Sequence, residues 1–309
     1  ASETRKAYYS AIAADEAVRY MRQVRQAADA GAELARRMAQ AGNFNTLQRA
    51  REQSFNADAV LALARAERVE ISSRERLVRL MGLWGTQTAF KLPDRLPDLP
   101  ASPRELPDVE TMAMSQRLDL MSARIDTEAL ARNLGLAKTT RFLNVLELGP
   151  ARVLEGERGS GYKRGYEIAF EIPLFDFGTA RVAKAEAIYM RQLNLVAEAA
   201  VNARSEVRDA YNGYRSGFDV ARHYRDEIVP LRKRISDENL LRYNGMLIGV
   251  FELLADARAQ ITSVNAYIEA LRDFWIAQAD LEMALIGRPS LATPAAASMG
   301  AAGGGDASH

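Results

Sequence analysis

Between Arg141 and Asp176 the spacing of apolar side chains changes from about every 3.6 residues to every second residue. This change constrains the chain most, because a period of two belongs to a strand with two unlike faces. Tyr162, Tyr166, Ile168, Phe170, Ile172 and Leu174 fall on one face, with Arg164 the single charged residue among them. Lys163, Gly165, Glu167, Ala169 and Glu171 fall on the other. Upstream, Phe142, Leu146, Leu148 and Leu154 oppose Val145, Glu147, Gly149 and Ala151, less cleanly. Glu157-Arg158-Gly159-Ser160-Gly161 supplies a reversal, so residues 141–177 are expected to form a β-hairpin. Strands of ~11 residues are long enough to cross a bilayer at a tilt, with tyrosines forming a girdle on the lipid face and charges toward a wet lumen. The alternative is an amphipathic hairpin covering a soluble core. A lone hairpin is marginal in water, and the rest of the chain offers no globular core for it to cover.

The chain's 20 Gly and 10 Pro cluster, and the long segments between clusters read as helices. Two stretches can be laid on each other. Ala7-Tyr8-Tyr9 leads to Gly42 and then to Leu80-Met81-Gly82, while Ala210-Tyr211-Asn212 leads to Gly245 and then to Leu285-Ile286-Gly287. The offset is 203 at the start (7 to 210) and 205 at the end (82 to 287), the pattern of an internal repeat. Two alanine-rich helical hairpins matching by chance is the competing explanation. Each copy reads as a helix, a glycine-centred turn and a returning helix.

In the second returning helix Val250, Leu254, Ala257, Ile261, Val264, Ile268, Leu271 and Trp275 alternate steps of four and three, a coiled-coil seam that slips before Leu281 and Leu285. Ala57, Val60, Ala64, Ile71, Val78 and Met81 suggest the same seam in the first copy. The helix before Gly245 traces back toward Gly178, roughly 100 Å at ~1.5 Å per residue, and Pro230 is expected to kink or break it. The chain thus divides into a first helical hairpin (1–90), a Pro-rich extended connector (91–108), a helix (109–140), the β-hairpin (141–177), a second long helical hairpin (178–288) and an Ala/Gly-rich tail expected to be disordered (289–309).

The chemistry available is narrow. Lys plus Arg number 41 against 40 Asp plus Glu, so no net field favours nucleic acid, and the Arg-rich stretch from Arg19 to Arg37 alternates with acids as a solvated face does. The absence of cysteine excludes thiol catalysis and thiolate metal sites. His223 and His309 are the only histidines and have no partner at metal-ligand spacing. Asp119 with Glu128, and Glu252 with Asp256, are read as solvated or salt-bridged acids rather than general acid–base pairs. Gly159-Ser160-Gly161 lacks the strand-to-helix context of a nucleophile elbow or phosphate loop. No run of ~18 apolar residues offers a transmembrane helix. No catalytic residues, metal or cofactor are expected.

Three short motifs then stand in order: Arg117-Leu118-Asp119-Leu120, Ile172-Pro173-Leu174-Phe175-Asp176-Phe177-Gly178, and Arg242-Tyr243-Asn244-Gly245 followed by Phe251-Glu252-Leu253-Leu254 and Ala257-Arg258. With the repeat, they make the chain from about Ala7 to Pro289 resemble the TolC-like outer-membrane efflux protein family. The fold class this implies is mainly α with a membrane β-hairpin: long coiled-coil helical hairpins building an α-barrel in the periplasm, with strands of a β-barrel in the outer membrane. The implied assembly is a homotrimer, and the implied function is a passive exit duct working with an inner-membrane transporter and a periplasmic adaptor protein.

Under that resemblance Tyr162, Tyr166, Ile168, Phe170 and Ile172 face lipid, and the turns at Gly42, Asn43, Phe44 and Gly245, Met246, Leu247 form the adaptor-contact tip. Glycines with φ > 0 are expected at both turns, and Arg242, Tyr243, Glu252 and Asp256 are the expected contacts that hold the aperture shut. The first repeat has no counterpart of the hairpin before Ala7, so the chain is expected to lack the family's N-terminal helix and first β-hairpin. The spacing from Tyr243 to Gly245 is one residue shorter than the family pattern. The alternative function is a non-membrane coiled-coil scaffold of the cell envelope.

Overall fold

A computed structural model of the chain describes residues 1–40, 46–141, 145–153, 163–171, 177–245 and 247–288. By its contacts the chain divides into two compact units, one of Ala1–Pro100 with Gly217–Asp280, the other of Ala101–Ser216 with Leu281–Gly287.

In the first unit α1 (Ser2–Gln40) and α2 (Thr46–Met81) form an antiparallel pair, as the cross-helix contacts Glu3–Arg76, Arg22–Glu67 and Asp29–Asn56 require. On α1 the buried positions Ala7, Ala11, Ala14, Val18, Met21, Ala28 and Ala35 follow the 3.5-residue period that keeps one seam facing a partner helix. Val18, Met21, Val24 and Ala28 meet Ala59 and Leu63 of α2 in one core, with Ile261 packed against it. The seam expected on α2 is corrected by this packing. Of the expected positions only Val78 is buried; Ala57, Val60, Ala64, Ile71 and Met81 are exposed, and the rest of the buried face is Glu52, Ala59, Leu63 and Leu77. Apolar residues lie on both sides of this alanine-rich helix, so periodicity alone does not select the face that docks.

Helix α2 ends in a Schellman turn: Gly82, at φ 68°, donates to Arg79 O, and Leu83 donates to Val78 O. The Pro-rich segment that follows is extended, as expected, and it is strapped down rather than free. Leu96 and Leu99 are buried, Leu96 N–H donates to Glu16, and Pro97 O and Leu99 O accept from Trp275 Nε1 (3.0 Å) and Arg225 (3.2 Å). Trp275 stacks on Tyr9 at 5.5 Å. Buried Lys6 lies between Glu3 (2.6 Å) and Asp280 (2.8 Å). Burial by itself lowers the pKa of its ammonium, but the two carboxylates outweigh this and raise it above the ordinary 10.5.

In the second unit the helix expected over 109–140 is two helices, α3 (Val109–Gln116) and α4 (Leu118–Thr139). They are separated by Arg117 at φ −66°, ψ 123°. No glycine or proline marks that break. Arg117 leaves the helical path and its side chain is 2% exposed, which is the physical reason for the interruption. Two strands, β1 (Val145–Val153) and β2 (Lys163–Glu171), follow as one antiparallel hairpin.

Helix α5 (Thr179–His223) then runs into a π-helical turn, Tyr224–Ile228, and on into α6 (Val229–Asn244). Pro230 stands at the start of α6. A proline lacks the N–H and crowds the carbonyl four residues back, and the wider π turn makes room for the ring, so the axis is interrupted without the helix being broken. Helix α7 (Val250–Ile286) returns. Of its expected seam Ile268 and Leu271 are buried and Ala257, Ile261, Val264 and Trp275 half-buried, the side chains of Val250 and Leu254 fall outside the described ones, and Ser263, Ala270 and Phe274 are buried beside the seam. The reversals sit at matching offsets: α1 ends at 40 and α6 at 244, α2 begins at 46 and α7 at 250, both 204 apart.

Candidate membrane hairpin and helical turn

The hairpin register aligns Leu146 with Phe170, Leu148 with Ile168, Pro150 with Tyr166 and Arg152 with Arg164. Because the pleat alternates, these pairs share one face, and Glu147–Ala169, Gly149–Glu167 and Ala151–Gly165 share the other. This is the division that the period of two required. The apolar face is open: Tyr166 is 86% exposed, Leu148 68% and Ile168 63%. Of the expected lipid-facing residues, Tyr166 and Ile168 lie exposed on one face of β2 and Phe170 holds the matching register position, its side chain outside the described ones, while Tyr162 and Ile172 fall outside the described residues.

The junction of the hairpin with α5 depends on two successive left-handed residues, Phe177 at φ 47° and Gly178 at φ 73°. A Cβ on Gly178 would stand 2.1 Å from Arg141 O, so only glycine fits where the chain leaves the sheet. Gly178 O accepts from Val182 N–H and opens the helix. Arg181 ties the same corner by donating to the carbonyl and hydroxyl of Thr140, at 2.8 and 2.9 Å.

At the other expected site, the α6–α7 turn, Gly245 and Leu247 donate to Leu241 O (3.0 Å) and Arg242 O (2.9 Å). Leu247 is 78% exposed. The expectation of positive φ is corrected at Gly245, which stands at φ −78°, an ordinary helical value open to any residue. A Cβ there meets nothing closer than 3.5 Å, so the hydrogen bonds and not glycine's freedom make this reversal. Gly42, Asn43, Phe44 and Met246 fall outside the described residues.

The expected aperture residues gather around the turn without bonding to one another. Arg242 pairs with Glu238 on its own helix (3.6 Å), Asp256 accepts from Asn239 across the turn, Tyr243 is half-buried and Glu252 is exposed.

Two buried charge clusters were not legible in the sequence as such. Arg117 donates to both oxygens of Asp119 (2.7 and 3.1 Å), to Glu206 (2.7 Å) and to Ala284 O (3.4 Å). The Asp119 hydrogen bonds raise the guanidinium pKa further, and the same bonds from Arg117 hold the Asp119 carboxyl below its ordinary 3.8. Glu128 pairs instead with Arg132 (2.5 Å), so the two acids do not form a pair with each other. The second cluster joins Glu52, 2% exposed on α2, to Arg258 of α7 at 3.1 Å, with the guanidinium 4.2 Å above the Phe55 ring. Only the Arg-Leu-Asp-Leu motif hinted at the first, and nothing local marks Glu52 as buried.

Among the described residues no group of three His, Asp or Glu could hold a metal ion, and no helix is long and apolar enough to cross a membrane. A groove of about 350 Å³ between α4 and α5 is lined by Leu130, Leu134, Ile188, Arg181 and Lys184 among others, with no carboxylate to act as a base.

No known family profile and no curated protein sequence matches the chain. Solved structures do match. A membrane protein from Pseudomonas aeruginosa superposes at TM-score 0.77 with 20% identity, over 92% of this chain and 67% of that one. The outer-membrane channel OprN superposes at 0.76 with 18% identity, over 92% and 65%. The open state of the Neisseria gonorrhoeae MtrE outer-membrane channel superposes at 0.76 with 20% identity, over 93% and 65%. The chain spans about two thirds of the length of these structures. At this level of identity the likeness is one of fold, and the fold of this chain is that of the TolC-like outer-membrane channels that its sequence resembles.

Proposed function

We propose that the chain forms part of a passive outer-membrane exit duct, which carries substrates from the periplasm to the exterior without catalysis of its own. The observation that carries this reading is the exposed apolar face of the hairpin, with Leu148, Tyr166 and Ile168 all more than half exposed. A two-stranded sheet that leaves such a face in water is marginal, and in lipid the same face is at home while the glutamate-bearing face lines a wet lumen. The likeness in fold to outer-membrane channels supports the same direction. In this reading each of three copies contributes this hairpin to one shared barrel, and the helical hairpins extend into the periplasm. The tip, with Leu247 exposed at the α6–α7 turn, meets a periplasmic adaptor that links the duct to an inner-membrane transporter. Arg242, Tyr243, Glu252 and Asp256 line the closure beside that tip.

The second reading, a non-membrane envelope scaffold, requires the apolar face to cap helices, and the exposure of Tyr166 and Ile168 disfavours it. Substitution distinguishes the two. Phe170→Arg, on the apolar face, is expected to block membrane assembly while far-UV circular dichroism keeps its helical signal. Glu167→Arg, on the opposite face, is expected to assemble. Equal assembly of both variants in the outer-membrane fraction would overturn the duct reading in favour of the scaffold.

A further inference from the structure

The core that joins α1, α2 and α7 docks α2 through its less apolar side. Val18, Met21, Val24 and Ala28 meet Ala59 and Leu63, flanked by Phe55, Ala62 and Ala66 of α2 and by Ile261 of α7. Val60 and Ile71 stand roughly 110° around the helix from Ala59. Both are exposed, as are Leu61 and Val69. Apolar stabilisation grows with the area removed from water, so a turn of α2 that exchanged Ala59 for Val60 and Ile71 would bury more. Apolar area therefore does not select the docked side.

One contact carries direction. Glu52, 2% exposed, lies on the docked side, and its ion-pair partner among the described residues is Arg258 of α7, at 3.1 Å. The same guanidinium lies 4.2 Å over the ring of Phe55, so Arg258 engages two positions on one turn of α2. The pair is not arranged for strength, because Arg258 Nε is buried with no hydrogen-bond partner among the described residues. The polar contacts between α1 and α2, Arg22–Glu67, Arg76–Glu3 and Asn56–Asp29, are exposed, where such pairs add little. A buried ion pair contributes little net stability, but each charge is tolerated only where its partner meets it, and this gives direction. We propose that Glu52 and Arg258 form a positioning pair, which selects the face of α2 that docks and keeps Val60 and Ile71 outward. The inference does not rest on the membrane reading. In the competing account the alanines select the face, by letting the helices approach closely.

The chain has no cysteine, so a single Ala59→Cys or Val60→Cys in the full chain reports one face through its rate of maleimide labelling. With the pair intact, position 60 is expected to label at least about tenfold faster than position 59, since a buried thiol reacts only through local opening. In E52A/R258A the two rates are expected to exchange, with position 60 slowed and position 59 quickened, each several-fold. E52A alone is expected to act the same way, and decides the question should the double variant give no cooperative urea transition. A core that is merely looser would quicken position 59 and leave position 60 fast. Position 60 labelling as fast in these variants as with the pair intact therefore overturns the proposal in favour of the alanines. Slow labelling of position 60 with the pair intact overturns it too, because that face is then not the outward one.

Discussion

Arg117 concentrates more of the second unit's polar interactions than any sequence pattern around it suggests. Its side chain is 2% exposed and meets Asp119 two residues on, and Glu206 and Ala284 O from distant segments of the chain. Such a charge is tolerated only because its partners satisfy it, and removing it leaves two partly buried carboxylates without their cation. Arg117→Met is therefore expected to cost about 3 kcal/mol or more, read as a lower urea midpoint at unchanged slope. A cost below about 1 kcal/mol would show that the cluster is not a structural centre. The same pair sets a pH dependence. The Asp119 carboxyl is depressed below 3.8 in the folded chain, so its stabilisation is complete above that value and is lost as pH falls through the folded value. The stability gap between wild type and Asp119→Asn, measured by thermal melts, is expected to hold from neutral pH down to about 4 and to narrow below it.

At the scale of elements, the junctions carry the constraints. Gly178 stands at φ 73°, and a Cβ there would come within 2.1 Å of Arg141 O. Gly178→Ala is expected to cost more than about 2 kcal/mol, combining left-handed strain with the clash, and to disorder the hairpin base while leaving α5 helical. Proteolytic nicking between 141 and 179 should rise accordingly, and an unchanged cleavage pattern would contradict the assignment. Gly245 provides the contrast, because at φ −78° with a Cβ in ordinary van der Waals contact from 3.5 Å it accepts alanine, and the exposed Leu247 two residues on is the residue with consequence. Pro230 belongs to the same scale. The proline was visible as a helix breaker, but the π turn that absorbs it is a response of the backbone on either side.

For the whole molecule, the duct reading predicts that an apolar side chain exposed at the α6–α7 turn is covered by a partner. Leu247→Glu, in a version of the protein with a working pump system, is expected to reduce adaptor cross-linking several-fold and to abolish export while trimer assembly is retained. Cross-linking and export that both survive would place the tip elsewhere and reverse the direction assigned to the helical hairpins.

The sequence by itself determined which segments are helical, where the period switches to two, which residues share each face of the hairpin, and the matching offsets of the two helical reversals. All of these follow from periodicities and turn residues acting over a few neighbours in the chain. Only the tertiary structure decided that α2 docks through Ala59 and Leu63 rather than through Val60 and Ile71, that the helix over 109–140 breaks at Arg117, and that Glu52 is buried against Arg258. Each of these depends on a partner tens to hundreds of residues away. An alanine-rich helix with apolar residues on both sides has no local preference between its faces, and a charge can be buried wherever a distant helix brings the opposite charge to meet it.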